Sequence, residues 1–203
     1  MSPRPYRLGK RKPAIDETRA RILAAGAALL LSREGASRFS IDAVAKRAGV
    51  ARMTVYYQFG SKLGLVEALF DDVAARGKLA DLAAVFADPD PRGALDSFIA
   101  VFVRFWMTDR ALLRRLSALA GLDPALAAAL NERIGWRRQG LRVLVQRLAP
   151  TATAERRDAM IDTLAMLTGF ETLDALAEGR TTAQAARIIQ HLARAAVEKP
   201  AAP

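Results

Sequence analysis

The side chains of this chain that could do chemistry are mainly cations, hydroxyls and aromatic rings, whereas the residue types of common catalytic and metal sites are scarce. The 203 residues contain no cysteine and a single histidine, His191. A thiolate zinc site, a cysteine nucleophile and a multi-histidine metal centre are therefore excluded. Neighbouring acids such as Asp71 and Asp72 are typical of a solvated helix face, and no glycine-rich phosphate loop is present. We therefore expect no catalytic residue, no metal and no cofactor.

Side chains that read nucleic acid stand together in one short segment between Gly49 and Gly60. Arginine reads guanine, threonine and glutamine bond bases or phosphates, and tyrosine hydroxyls bond phosphate oxygens. These residue types favour a double-stranded DNA partner. The less buried residues expected in this segment are Arg52, Met53, Thr54, Tyr56, Tyr57 and Gln58.

These side chains need a rigid support, and the sequence predicts one built from two short helices. Ser40 is a good N-cap, and Gly49 supplies a turn that tolerates positive φ. Ala45 leaves room for two helices to cross steeply. The segment from Ile41 to Phe59 therefore predicts a helix-turn-helix whose second helix starts at about Arg52, although this spacing alone also recurs by chance.

The distribution of charge agrees with an anionic partner for this region. The net charge of the chain is +10, yet residues 1–62 alone hold 13 Lys and Arg against 4 Asp and Glu. Such a basic segment favours nucleic acid, an acidic protein or an anionic membrane. The start of the chain, residues 1–13, is basic and rich in proline. It predicts a flexible arm that is either simply solvated or in contact with phosphates.

Helical periodicity continues through the rest of the chain and predicts an all-α protein of about nine helices. A break is expected at Asp88 to Pro91, and a long helix over about 124–148. Two last helices follow, at about 154–178 and 183–197, the second opened by a Thr181-x-x-Gln184 capping box. No apolar run is long enough to span a membrane, so we expect a soluble, cytoplasmic protein with no membrane partner.

The segment from Thr18 to Leu69 resembles the N-terminal domain of the TetR family of transcriptional regulators. The resemblance rests on IDAVAKRAG at 41–49, on VYYQFGSK at 55–62 and on Leu65, and it covers about a quarter of the chain. It implies a homodimer that binds an inverted-repeat operator, usually as a repressor, and leaves it when a small ligand enters the C-terminal domain. The expected domains are a helix-turn-helix domain at 14–62 and a ligand-binding and dimerisation domain at 63–200.

The resemblance also implies roles for single residues. Ser40 becomes a phosphate contact as well as a cap, and Lys62 a phosphate clamp at the start of the fourth helix. Ala51 stands where the family usually has a capping Ser or Thr, and Met53 replaces a small residue. Tyr57 could instead be a core residue, and the cations could be merely solvated. The DNA-binding candidates are Ser40, Arg52, Met53, Thr54, Tyr56, Tyr57, Gln58 and Lys62.

In the family, large apolar residues of the C-terminal domain line a ligand cavity, whereas the alternative is an ordinary filled core. Arg104, Arg137, Glu171 and Asp174 are candidates for an orienting polar contact with a ligand. An interior rich in aromatic residues favours a lipophilic effector. The pocket candidates are Phe98, Phe102, Phe105, Trp106, Trp136, Met160, Met166 and Phe170.

The last two helices would carry self-association, unless their apolar stripes pack only within one subunit. The interface candidates are Leu164, Leu167, Ala185, Ile188, Ile189, Leu192 and Ala196. The resemblance therefore implies a ligand-responsive dimeric repressor. The alternative is a DNA-binding regulator that has no small-molecule inducer and acts through a protein partner.

Overall fold

The computed structural model describes residues 11–198, and every regular element in that range is helical. The predicted all-α class is confirmed, with eleven α-helices in the described range where the periodicity predicts about nine. In chain order they are α1 (Arg11–Leu30), α2 (Ile41–Ala48), α3 (Arg52–Phe59), α4 (Lys62–Arg76), α5 (Leu82–Ala87), α6 (Pro91–Thr108), α7 (Arg110–Ala120), α8 (Pro124–Leu148), α9 (Ala154–Leu167), α10 (Phe170–Leu176) and α11 (Thr182–Glu198).

The predicted N-terminal arm lies only partly within the described range. Helix α1 begins at Arg11, so the last three residues of the segment 1–13 are helical. Residues 1–10 lie outside the described residues. Among the helices of the described range, none is both long and apolar enough to cross a membrane.

Two caps expected from the sequence are confirmed. Ser40 accepts a hydrogen bond from the Ala43 N–H at 3.2 Å. Thr181 and Gln184 form the reciprocal pair of a capping box, at 2.8 and 3.2 Å. Each such cap stabilises its helix by roughly 1 kcal/mol. These contacts determine where α2 and α11 begin.

One predicted helix is divided in the structure. The segment expected to be helical over 154–178 forms two helices, α9 and α10, because the backbone becomes extended between them. Carbonyl groups freed at the break accept hydrogen bonds from other helices: Arg137 donates to Ala165 at 2.9 Å, and the Trp106 indole donates to Thr168 at 2.9 Å. Such donors replace the missing helical partners. Because they come from distant parts of the chain, periodicity does not reveal the break.

The helices form two compact units. The first contains the described residues through Phe70 together with Arg114–Leu126, and the second contains Asp71–Leu113 and the described residues from Ala127 onward. The first unit therefore extends beyond residue 62, the expected end of the DNA-binding domain.

Each unit has its own core. In the second unit α6 is central and packs against α5, α10 and α11. In the first unit α2 packs against α1 and α3. The core side chains of the first unit that are at most 1% exposed include Ile22, Leu30, Val44, Val55, Leu65 and Leu69.

Candidate nucleic-acid interface

Helices α2 and α3 have the geometry of a helix-turn-helix. Helix α2 ends at Gly49, which adopts the left-handed conformation (φ 65°, ψ 39°) and donates to the carbonyls of Ala45 and Lys46. Val50 then donates to Ala45 at 3.1 Å. Apart from its two chain neighbours, no described residue has a heavy atom within 4 Å of the place where a Cβ on Gly49 would stand. Glycine is therefore favoured here by its backbone conformation rather than by lack of space.

Helix α3 starts without a side-chain cap but is anchored from α1. The Thr54 N–H donates to the Ala51 carbonyl at 2.9 Å, and no side chain caps this end, as the alanine predicts. Arg19 on α1 donates to the Gln58 carbonyl at 3.1 Å, and its guanidinium carbon lies 4.5 Å from the centre of the Phe59 ring. A cation over a ring face is an attractive contact. Arg19 therefore holds the C-terminal end of α3 against α1.

Helix α3 buries one side and leaves several of the predicted reading residues accessible. Val55 is fully buried, whereas Tyr57 is 85% exposed and Met53 is 55% exposed. Tyr57 is therefore a surface residue, and the alternative of core packing is excluded for it within this chain. The other candidates of α3 between Met53 and Phe59 are half-buried, namely Thr54, Tyr56 and Gln58.

Arg52 is held in place by two neighbouring side chains. Its Nε lies 3.3 Å from an Asp42 carboxylate oxygen, and its Nη2 donates to the Tyr56 hydroxyl at 3.2 Å. The guanidinium carbon also lies 5.4 Å from the centre of the Tyr56 ring. The hydrogen bond with Tyr56 and the charge of Asp42 raise the pKa of Arg52 above its ordinary value. The side chain is 58% exposed, so this cation is oriented but accessible.

Lys62 is also engaged, through a residue that caps another helix. Its Nζ lies 3.8 Å from Oδ2 of Asp123, and the two side chains are 39% and 34% exposed. The other oxygen of Asp123 accepts from the Ala125 and Leu126 N–H groups at 3.1 and 3.4 Å, at the start of α8. One carboxylate therefore both caps α8 and pairs with Lys62.

Three partners at this site are absent from the sequence-based prediction. The sequence places Asp42 in the first turn of α2, opposite the positive end of the helix dipole, and does not connect it with Arg52. Arg19 and Asp123 lie far along the chain from the residues that they contact. Local spacing contains no signal for such contacts.

Comparison with known proteins identifies the segment that holds this site. Residues 22–69 match the family model for bacterial regulatory proteins of the tetR family, a range that includes all of α2 and α3. Over this segment the chain belongs to the TetR family. No curated protein matched the chain.

Solved structures with a similar fold cover most of the chain. A TetR-like transcriptional regulator from Rhodococcus sp. RHA1 is 22% identical with a TM-score of 0.59, covering 90% of this chain and 97% of that one. A TerR/AcrR-family regulator from Aquifex aeolicus VF5 is 14% identical with a TM-score of 0.63, covering 88% and 98%. A tetR-family regulator from Streptomyces coelicolor is 25% identical with a TM-score of 0.54, covering 89% and 79%. The likeness supports the TetR-family fold beyond the matched segment.

The second unit contains a series of aromatic contacts along α6. The Phe102 ring centre lies 4.7 Å from that of Phe98 and 6.5 Å from that of Trp106. The Trp106 ring lies 4.3 Å from Phe105 and 5.5 Å from Phe170 of α10. Rings at these distances attract one another. The structure thus brings together five of the predicted pocket residues, and Met160 is buried in the same unit.

Two pocket candidates do not belong to this interior. Trp136 is 65% exposed and Met166 is 61% exposed. On α8 the buried positions at the following turns are Leu141 and Leu144, and Trp136 lies off the helix face that they define. The prediction of Trp136 as a pocket residue rests on its aromatic type alone, whereas its exposure depends on its position on α8.

The predicted interface stripe is also divided. Leu164, Ala185 and Ile189 are at most 1% exposed, and Leu167 is 7% exposed. Because α11 packs against α6 and α9, these side chains are covered within their own chain. They are therefore core residues here rather than free interface residues. The members left at least partly at the surface are Ile188, Leu192 and Ala196.

Of the polar groups considered as ligand contacts, most have partners in the protein. Arg104 pairs with Asp81 at 2.6 Å, and Asp174 pairs with Arg110 at 2.8 Å. Arg137 forms no ion pair among the residues that the structure describes. It therefore differs from Arg104 and Asp174, which form ion pairs, although the charge of Glu171 is near enough to raise its pKa against the effect of burial.

Proposed function

We propose that the protein is a cytoplasmic homodimeric repressor that binds an inverted-repeat operator and is released by a small lipophilic effector. The observation that carries the DNA-reading part is the accessible side of α3, where an oriented arginine stands beside exposed Met53 and Tyr57. This helix lies inside the segment that matches the TetR family. A recognition helix of this kind enters the major groove of DNA.

The two best-placed cations would act differently on DNA. Arg52 lies in the first turn of α3, and an arginine there donates two hydrogen bonds to a guanine edge. Lys62 lies in the first turn of α4, where free N–H groups also attract a phosphate. The first contact distinguishes sequences, and the second does not.

The test is selection of bound duplexes from a random DNA library, followed by affinity measurements on the selected site and on scrambled DNA. We expect an inverted repeat, with affinity that falls steeply as salt rises. Arg52→Ala should weaken binding to the selected site by roughly 1–3 kcal/mol and leave scrambled DNA little affected. Lys62→Ala should weaken binding to the selected site and to scrambled DNA alike. Arg180→Ala removes an exposed cation outside the matched segment and is the charge-matched control. Lack of preference for any duplex would overturn the proposal.

Self-association is proposed through the apolar side chains that α9 and α11 leave at the surface. Leu192 is 45% exposed, Met166 is 61% exposed, and Ile188 is half-buried. Leu192→Asp should convert a dimer into a monomer in light scattering, whereas His191→Asp, at an exposed neighbouring position, should leave the dimer intact. Equal masses for the two variants would contradict this interface.

One observation favours the alternative regulator that lacks a small-molecule inducer. The α6 rings are close to one another and at most 7% exposed, as in an ordinary filled core. Under that alternative, operator release needs a protein partner and no small molecule reverses DNA binding. Adding a small-molecule extract of the host cell to the protein–operator complex separates the two proposals, because release by the protein-free extract supports an inducer.

A further inference from the structure

Arg137 on α8 uses only one of the three nitrogens of its guanidinium group. Its Nη1 donates to the Ala165 carbonyl at 2.9 Å and to the Thr168 hydroxyl at 3.1 Å. Its Nε is buried and has no hydrogen-bond partner among residues 11–198. No hydrogen bond or ion pair of Nη2 occurs among the described residues either. The side of the group formed by Nε and Nη2 is therefore unused.

This arrangement is unusual because buried donors and buried charges are normally paired. A buried donor without a partner is costly, and a buried cation normally has a counter-ion. The less exposed Arg110 of the same unit follows this rule, since it pairs with Asp174 at 2.8 Å. Burial lowers the pKa of Arg137 below its ordinary value; Glu171 opposes this shift.

The unused side has the shape that recognises a carboxylate. Two parallel N–H groups of one guanidinium bind the two oxygens of a carboxylate in a bidentate manner. We infer that the Nε and Nη2 atoms of Arg137 bind the carboxylate of an acidic small molecule, which is the effector of this regulator. This inference rests on the proposed function, and it specifies the chemical class of the effector.

The aromatic side chains near Arg137 indicate the chemistry expected for the rest of that molecule. The guanidinium carbon lies 5.9 Å from the centre of the Phe102 ring. Phe102 is in contact with Phe98 and Trp106, and Trp106 with Phe170. Aromatic and apolar side chains bind the hydrocarbon part of a ligand, while a single charged group orients it. The effector class is therefore a carboxylic acid with an aromatic or aliphatic body.

Arg137 also has a structural role, which the experiment must separate from ligand binding. Its Nη1 satisfies a carbonyl at the C-terminal end of α9, where a cation is favoured by the helix dipole. That role uses Nη1 and has no need of Nε and Nη2. A purely structural arginine would therefore show no preference between a carboxylate and a neutral molecule of the same shape.

The test compares matched acids and amides on the full-length protein. The probes are 2-naphthoate against 2-naphthamide and decanoate against decanamide, measured by isothermal titration calorimetry and by the shift in melting temperature. Ligands of this size bind with a Kd of about 1 mM at typical ligand efficiency. We expect at least one acid to bind about tenfold or more tightly than its amide, because charge-assisted hydrogen bonds are the stronger ones.

Substitutions at Arg137 and at a neighbouring arginine test whether Arg137 causes the preference for acids. Arg137→Gln should abolish it, while Arg138→Gln, which removes a neighbouring cation of the same helix, should keep it. If Arg137→Gln does not fold, Arg137→Lys retains a charge and a donor for the α9 carbonyl but lacks the paired N–H groups, and should lose most of the preference. Equal binding of acids and amides, a preference that survives in both Arg137 variants, or no binding of either acid at about 10 mM would overturn the inference.

Failure of this inference can be distinguished from failure of the proposed function. The same preparations are tested for binding to the selected operator DNA. If neutral molecules release the operator and acids do not, the inference of a carboxylic-acid effector is refuted, whereas the proposed repressor function is not. If the protein prefers no DNA sequence, the proposed repressor function is refuted, whether or not the acids bind.

Discussion

Asp123→Asn is expected to strengthen DNA binding, although residue 123 lies outside the matched family segment. Asp123 pairs with Lys62 through Oδ2 and caps α8 through Oδ1. Asparagine is an N-cap of similar quality and retains the capping oxygen, so the substitution removes the charge and preserves the cap. If Lys62 must leave Asp123 to bind a phosphate, the variant binds DNA without first breaking that pair.

The structure sets the size of this effect. The Lys62–Asp123 distance is 3.8 Å and both side chains are more than a third exposed to water. Pairs of this kind contribute about 0.2–1 kcal/mol. The gain in DNA affinity should therefore be about 1.4- to 5-fold per subunit, and about 2- to 30-fold for a dimer that makes the contact twice. Because salt screens the pair, the gain should shrink as ionic strength rises.

Fluorescence anisotropy on the selected operator, at several salt concentrations, measures this gain. Asp158→Asn is the matched control, since it removes an exposed carboxylate of the second unit. Asp123→Asn in a Lys62→Ala background should have no effect, because the pair is already absent. An equal gain in DNA affinity from Asp158→Asn would show that the effect comes from the net charge of the protein. Unchanged affinity of Asp123→Asn would refute the reasoning, since Lys62 would then not exchange its carboxylate for a phosphate.

Three stability predictions follow from local geometry, each measured by denaturant unfolding. Gly135→Ala should stabilise the protein by about 0.5–1 kcal/mol, because the position is an exposed helix interior with open space around a new Cβ. Gly77→Ala should destabilise it by about 1–3 kcal/mol, because a Cβ there would lie 2.8 Å from the backbone of Phe105. Arg19→Ala should cost about 1–2 kcal/mol through its hydrogen bond to α3 and its contact with the Phe59 ring, and should also weaken operator binding.

The local parts of the fold are those that the sequence predicts well. Helix starts depend on caps only a few residues away, so Ser40 and the Thr181–Gln184 pair locate α2 and α11. The division between α9 and α10 depends on Arg137 and Trp106, which approach from other helices. No pattern within residues 154–178 carries that information. Contacts that are distant in sequence therefore account for the additional break.

For the candidate site as well, the sequence predicts the types of the functional residues but not the residues that they contact. The composition of α3 predicts which side chains are suited to reading DNA, and exposure of Tyr57 and Met53 agrees with a surface position for them. The partners of the two important cations, Asp42 and Asp123, are visible only in three dimensions. If Arg52 and Lys62 bind DNA as proposed, each must exchange its carboxylate for DNA, and the strength of the site then depends on residues that its motif does not contain.

The stripe on α11 shows why periodicity predicts a buried face but not the molecule that covers it. Ala185, Ile189 and Ala193 follow at intervals of four residues and are at most 1% exposed within their own chain. Moving one residue along an α-helix rotates the position by about 100°. A second apolar row with the same interval therefore lies on an adjacent face, and that row is the part of the stripe still available to a second copy of the chain. Its members are Ile188, Leu192 and Ala196.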